Sequence, residues 1–133
     1  MLGLPTQTQS PKTLGAIEII KMDSKNIYIS YQHYSNDIKW ERHGESEWMY
    51  IGAEEDFKEE KAVKLINTFF TESELYFITD RHNSFLIEKD DVIAKVKEYL
   101  TDYRTALANK DFSKIVEFDK IGILRKGQRK NLT

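Results

Sequence analysis

The apolar run ELYFIT at Glu74 to Thr79 and the run FLIE at Phe85 to Glu88 are separated only by the turn-forming residues DRHNS, Asp80 to Ser84. A parallel pair of strands needs a crossover of about a dozen residues or more, so runs this close pair antiparallel, as a hairpin. The same argument applies downstream. Thr105 to Ala108 and Lys114 to Phe118 read as short strands on either side of the turn-prone NKD at Asn109 to Asp111. Helical periodicity falls between and before these hairpins. Ala62, Leu65, Ile66, Phe69 and Phe70 recur at helical spacing after Asp56 and Glu59, which have the form of a capping box, while Val92, Ile93, Val96, Tyr99, Leu100 and Tyr103 mark a second stripe after Asp90 or Asp91. Hairpins interleaved with two amphipathic helices, at about 56–70 and 90–103, define an α+β fold with a mostly antiparallel sheet.

At 133 residues the chain has the size of one domain. Residues 1–13 are polar and hold both prolines, which reads as a flexible N-terminal tail; 14–125 form the expected single domain; 126–133 read as a basic C-terminal tail. The run LGAIEIIKM, Leu14 to Met22, is apolar without a clean period and is compatible with helix or strand. NIYISYQHY, Asn26 to Tyr34, alternates Ile27, Ile29, Tyr31 and His33 against Tyr28, Ser30, Gln32 and Tyr34, and is expected to be a strand. Ile121 to Leu124 is expected to add an edge. There is no cysteine, no signal-like leader and no apolar run of membrane-spanning length, so the expected setting is cytoplasmic, with no membrane partner.

No recognised catalytic or cofactor pattern is present. His33, His43 and His82 match no metal-ligand spacing, the serines lie in no nucleophile motif, and Gly122 and Gly127 lack the density of a phosphate cradle. No cofactor and no metal are expected, and the chain reads as a non-enzyme. Asp80 and His82 flank Arg81 in the predicted turn and are the residues on which a small hydrolase would have to be built. A second alternative is a small nucleic-acid-associated regulator, using the basic run RKGQRK at Arg125 to Lys130 and the tyrosines of YISYQHY. The overall charge of −2 opposes phosphate binding.

Charge is unevenly distributed. Residues 41–60 hold eight carboxylates against Arg42 and Lys58, a local charge of −6, whereas Asp119 to Lys130 holds Lys120, Arg125, Lys126, Arg129 and Lys130 against Asp119 alone. The two segments are expected to give the fold opposite fields at opposite ends. Carboxylates this dense repel one another unless a cation relieves them, and both tryptophans lie among or beside them. Trp40, Glu41, Glu45, Glu47, Trp48, Glu54, Glu55, Asp56, Glu59 and Glu60 are therefore the candidate partner-binding residues, facing a basic protein surface.

In size, lack of cysteine and the acidic stretches WERHGESEW and GAEEDF, the chain resembles the small cytoplasmic immunity proteins of bacterial toxin systems, including contact-dependent growth inhibition. The resemblance implies a small α+β domain that binds a cognate toxin domain, often a basic nuclease, and blocks it without catalysis.

Overall fold

The computed structural model describes residues 22–100 and 104–130. Within them the chain runs α1 (Ser24–Ser35), β1 (Ile38–Trp40), β2 (Met49–Tyr50), α2 (Glu59–Phe69), β3 (Glu74–Ile78), β4 (Ser84–Glu88), α3 (Val92–Tyr99), β5 (Thr105–Ala108), β6 (Lys114–Asp119) and β7 (Ile123–Arg129). The seven strands join one antiparallel sheet in the order β1, β7, β6, β5, β3, β4, with β2 also paired to β7. The chain is an α+β domain, and both expected hairpins form. In the β3–β4 turn the Asp80 carboxylate accepts from the backbone N–H groups of His82 and Asn83, at 2.8 and 2.9 Å, which is the local bond that makes aspartate a turn residue.

Strand alternation divides the core between the two faces of the sheet. Leu75, Phe77, Leu107, Val116, Phe118 and Leu124 pack with Ala62, Ile66 and Phe69 of α2 and Val92 and Val96 of α3. The opposite face carries Ile78, Ala106, Ala108 and Ile115, and α1 lies against it through Ile27, Tyr28, Tyr31 and Tyr34. Phe112 is stacked between Tyr34 and Tyr76, with ring centroids at 5.6 and 5.3 Å.

The strand expected at Asn26 to Tyr34 is helix α1. Asp23 caps it, accepting from the Asn26 N–H at 2.9 Å. Ile27, Tyr31 and Tyr34 recur at helical spacing on the packed side, whereas Ile29, required inward by the alternation, is 46 % exposed. The capping box at Asp56 and Glu59 is also corrected. Asp56 ends a separate 3-10 turn, Glu54–Asp56, and α2 begins at Glu59 after Lys58, with no side-chain cap. Helix α3 follows Asp91, whose side chain likewise makes no cap, and ends at Tyr99; Tyr103 lies outside the described residues, as do residues 1–13 and all of Leu14–Met22 except Met22.

The largest correction concerns the C-terminal segment. The short edge expected at Ile121 to Leu124 is the seven-residue strand β7, which runs through Arg129 and has neighbours on both sides. A boundary at 125/126 therefore falls inside the sheet. Along β7 the basic residues alternate. Lys126 pairs across β6 with Val116 on the α2 side, while Arg125 pairs with Glu117 on the α1 side. The basic run is thus split between two faces.

Candidate functional site

The first part of the acidic stretch, residues 41–48, lies between two strands that both pair with β7. Trp40 lies opposite Gly127 and Met49 opposite Leu124, so the edge advances nine residues while β7 advances three. The surplus is an excursion beside Arg125 and Lys126. A Cβ on Gly127 would stand 2.3 Å from the Lys39 carbonyl, so only glycine lets β1 approach this closely. The excursion is tied by the backbone bridge between His43 and Ser46, by the Arg42 guanidinium donating to the Glu45 carbonyl at 2.7 Å, and by the Glu41 N–H donating to the Lys126 carbonyl at 2.8 Å.

The expected separation of acidic and basic ends does not occur, because each supplies the other's partners. Lys126 Nζ meets Glu41 Oε1 at 2.5 Å on one face. On the other, Arg125 donates through Nη1 to Glu47 at 3.0 Å and through Nε to Glu117 at 2.8 Å. Its guanidinium lies 4.0 Å from the Trp40 ring centroid and 4.7 Å from that of Trp48, so both tryptophans pack on one cation. Glu117 is buried, and its second oxygen accepts from the Tyr31 hydroxyl of α1 at 2.5 Å. Burial, and then the negative charge of Glu117, raise the Tyr31 phenol well above its ordinary pKa. Arg104 stands 5.5 Å from the Trp48 centroid and bonds Asp119 at 2.7 Å, and that bond holds the Asp119 carboxyl below its usual range.

Two further carboxylates of the stretch have internal partners. Glu59 pairs with Lys97 at 2.9 Å, and Asp56 accepts from the Tyr50 hydroxyl and lies 3.6 Å from Lys58. The Tyr50 bond, then the Lys58 charge, lower the Asp56 carboxyl. Glu45, Glu54, Glu55 and Glu60 are exposed and form no ion pair among the described residues.

Of these, Glu54 and Glu55 sit on a turn whose shape is imposed by the backbone. Gly52 has φ +81°, and a Cβ there would lie 2.1 Å from the Asp56 carbonyl oxygen. The Ile51 and Gly52 N–H groups donate to the Gly122 carbonyl at 2.8 and 3.1 Å, tying the segment to the β6–β7 turn, and Glu54 itself adopts φ 51°. Beside the turn is an open cleft of about 680 Å³ lined by Glu54, Glu55, Phe57, Leu100, Lys120 and Ile121 among others. Ile121, 67 % exposed, and Tyr50, 52 % exposed, are the two most exposed large hydrophobic residues described, and both border the turn. Neither is among the candidate residues taken from the sequence, where Ile121 reads as the start of a short edge strand and Tyr50 is given no role.

The histidines are dispersed. His33 is on the exposed side of α1 against Tyr34, His43 is in the excursion, and His82 is exposed in the β3–β4 turn. Asp80 is engaged with backbone N–H groups rather than with the His82 ring. Among the described residues no three acidic or histidine side chains are placed to hold a metal ion, and no helix is long and apolar enough to cross a membrane. Comparison with known protein families, with curated proteins and with solved structures finds no match to this chain.

Proposed function

We propose that the protein is a non-catalytic binding module that covers a basic surface on a partner protein, and that it acts as an immunity protein against a cognate bacterial toxin. The observation that carries this reading is the Glu54–Asp56 turn. It presents two carboxylates that form no ion pair among the described residues, next to Tyr50 and Ile121, on backbone fixed by Gly52 and by the β6–β7 turn. Charged groups of this kind steer encounter and select the partner, while the exposed apolar side chains supply buried area on contact. Trp40, Glu41, Glu47 and Trp48 hold the edge excursion to β7 through Arg125 and Lys126.

The test is co-production with a toxin domain encoded beside this gene, with growth protection and complex formation measured for the wild type and for Glu54→Lys/Glu55→Lys. Protection that needs these two residues supports the reading. A protein that protects equally well without them binds through another surface, and a gene with no toxin reading frame beside it removes the toxin from the proposal. A nucleic-acid role draws less support from the geometry, because alternation along β7 divides the basic run between two faces and gives Arg125 and Lys126 carboxylate partners.

A further inference from the structure

On the helical face of the sheet, α2 and strands β6 and β7 enclose an open cleft of about 460 Å³ whose sides carry Lys61, Lys64, Lys114 and Lys126 and whose apolar floor includes Leu65 and Phe69. Two of these lysines occupy an unusual place. Lys114 and Lys126 project from inner strands on the face that elsewhere buries Val116, Phe118 and Leu124, and the Lys126 side chain is only 19 % exposed. Their ammonium groups stand 5.4 and 4.9 Å from the centroid of the same ring, Phe69. Three of the four are held in position: Lys114 donates to the Phe69 carbonyl at 2.9 Å, Lys61 to the Tyr50 carbonyl at 3.3 Å, and Lys126 to Glu41 at 2.5 Å. Each of those contacts uses one ammonium hydrogen and leaves the others uncommitted. Among the described residues Glu41 is the one carboxylate paired to this group of cations.

Like charges gathered over an apolar floor repel one another, and the repulsion is relieved when an anion enters. We infer that this cleft binds a small free oxyanion with a flat apolar body, its phosphate or carboxylate among the lysine ammonium groups and its body against Leu65 and Phe69. Such pockets combine an apolar lining with a few convergent polar groups that fix the ligand's orientation. The cleft is separate from the Glu54–Asp56 turn and shares no lining residue with the cleft beside that turn, which is lined by two glutamates and two lysines where this one has four lysines and no carboxylate.

The experiment is a titration of the full ¹⁵N-labelled chain, followed by amide chemical shifts, with phenyl phosphate, benzoate, inorganic phosphate and an oligoglutamate peptide as probes. The expected result is saturable shifts confined to the amides of Lys61 to Phe69, Lys114 and Lys126 to Gln128. Phenyl phosphate and benzoate are expected to bind more tightly than inorganic phosphate. Lys64 is exposed and its side chain makes no hydrogen bond or ion pair among the described residues, so Lys64→Glu leaves the fold intact and weakens phenyl phosphate by at least about tenfold, since it removes one charge-assisted hydrogen bond and sets a carboxylate beside the anion. Lys95→Glu, on α3 outside the cleft, leaves binding unchanged. The inference fails if shifts scatter over lysines elsewhere, such as Lys95 and Lys97, or if Lys64→Glu titrates with the wild-type midpoint. It also fails if the oligoglutamate peptide occupies the cleft more tightly than the small anions, which would make this a protein-docking surface.

Discussion

Replacing Arg125 by methionine keeps most of the side-chain length and removes the cation that joins the two oppositely charged segments. Glu117, whose side chain is 4 % exposed, then keeps the Tyr31 hydroxyl as a donor but loses its ion pair. Removing one partner of a buried pair costs about 3–5 kcal/mol, because the remaining charge is left without compensation. The two guanidinium–tryptophan contacts are each worth ~0.5–2 kcal/mol, but they belong to the same group and do not add to that figure. Against a typical domain stability of about 5–15 kcal/mol, the loss is a large fraction of the whole. Urea unfolding followed by tryptophan fluorescence reads it directly, with a midpoint lowered by about 2 M for an ordinary slope. The double variant Arg125→Met/Glu117→Gln removes the stranded charge while leaving an acceptor for Tyr31, and it is expected to regain more than half of the loss. A single variant that costs less than about 1 kcal/mol, or a double variant no more stable than the single, refutes the view that Arg125 neutralises a buried carboxylate.

Tyr31 has a folded-state pKa above that of the unfolded chain, so the folded protein keeps the phenol proton where the unfolded chain releases it. Its contribution is fully present below about pH 10 and is lost as pH rises beyond that; melting temperatures across this range are expected to fall less steeply in Tyr31→Phe than in the wild type. Ending the chain after Arg125 removes the β7 residues that pair with all of β1 and with Lys114, Ile115 and Val116, and circular dichroism is expected to show an unfolded chain rather than a domain lacking a tail. Gly52→Ala brings a Cβ against the Asp56 carbonyl at a left-handed backbone position, so it is expected to destabilise by about 1–3 kcal/mol in urea melts and to displace the Glu54–Asp56 turn.

The elements that could be read in the sequence are those whose packing follows a single period. Ala62, Ile66, Phe69 and Phe70 announced α2, and the runs on either side of Asp80 to Ser84 announced a hairpin. Helix α1 was misread because Ile27, Ile29 and Tyr31 fit a strand alternation, although Tyr28, Tyr31 and Tyr34 recur every three residues as a helix face does and Ile29 stands in solvent. Strands β1 and β2 have three and two residues and are interrupted by the excursion, too short for any pattern to register. The second half of strand β7, from Lys126, looked like a solvated tail because the strand's charges are compensated by Glu41, Glu47 and Glu117, two of them about eighty residues away in the chain. Such pairings are set by strand register, which local composition does not encode. For the candidate surface, the sequence identified the acidic stretch. It did not distinguish the carboxylates held by internal cations from Glu45, Glu54, Glu55 and Glu60.

That distinction gives the most direct test of the proposed function. Affinity for the proposed partner, a toxin domain encoded beside the gene, and urea stability are measured together on Glu54→Lys/Glu55→Lys and on Glu41→Lys/Glu47→Lys. Reversing the outward pair is expected to weaken binding by at least about tenfold, mainly through slower association at low salt, with the urea midpoint unchanged. Reversing the inward pair is expected to lower the midpoint, since it sets lysines against Lys126 and Arg125. Wild-type affinity in the stable Glu54→Lys/Glu55→Lys variant would contradict the account, because the turn would then be no part of the surface that meets the partner.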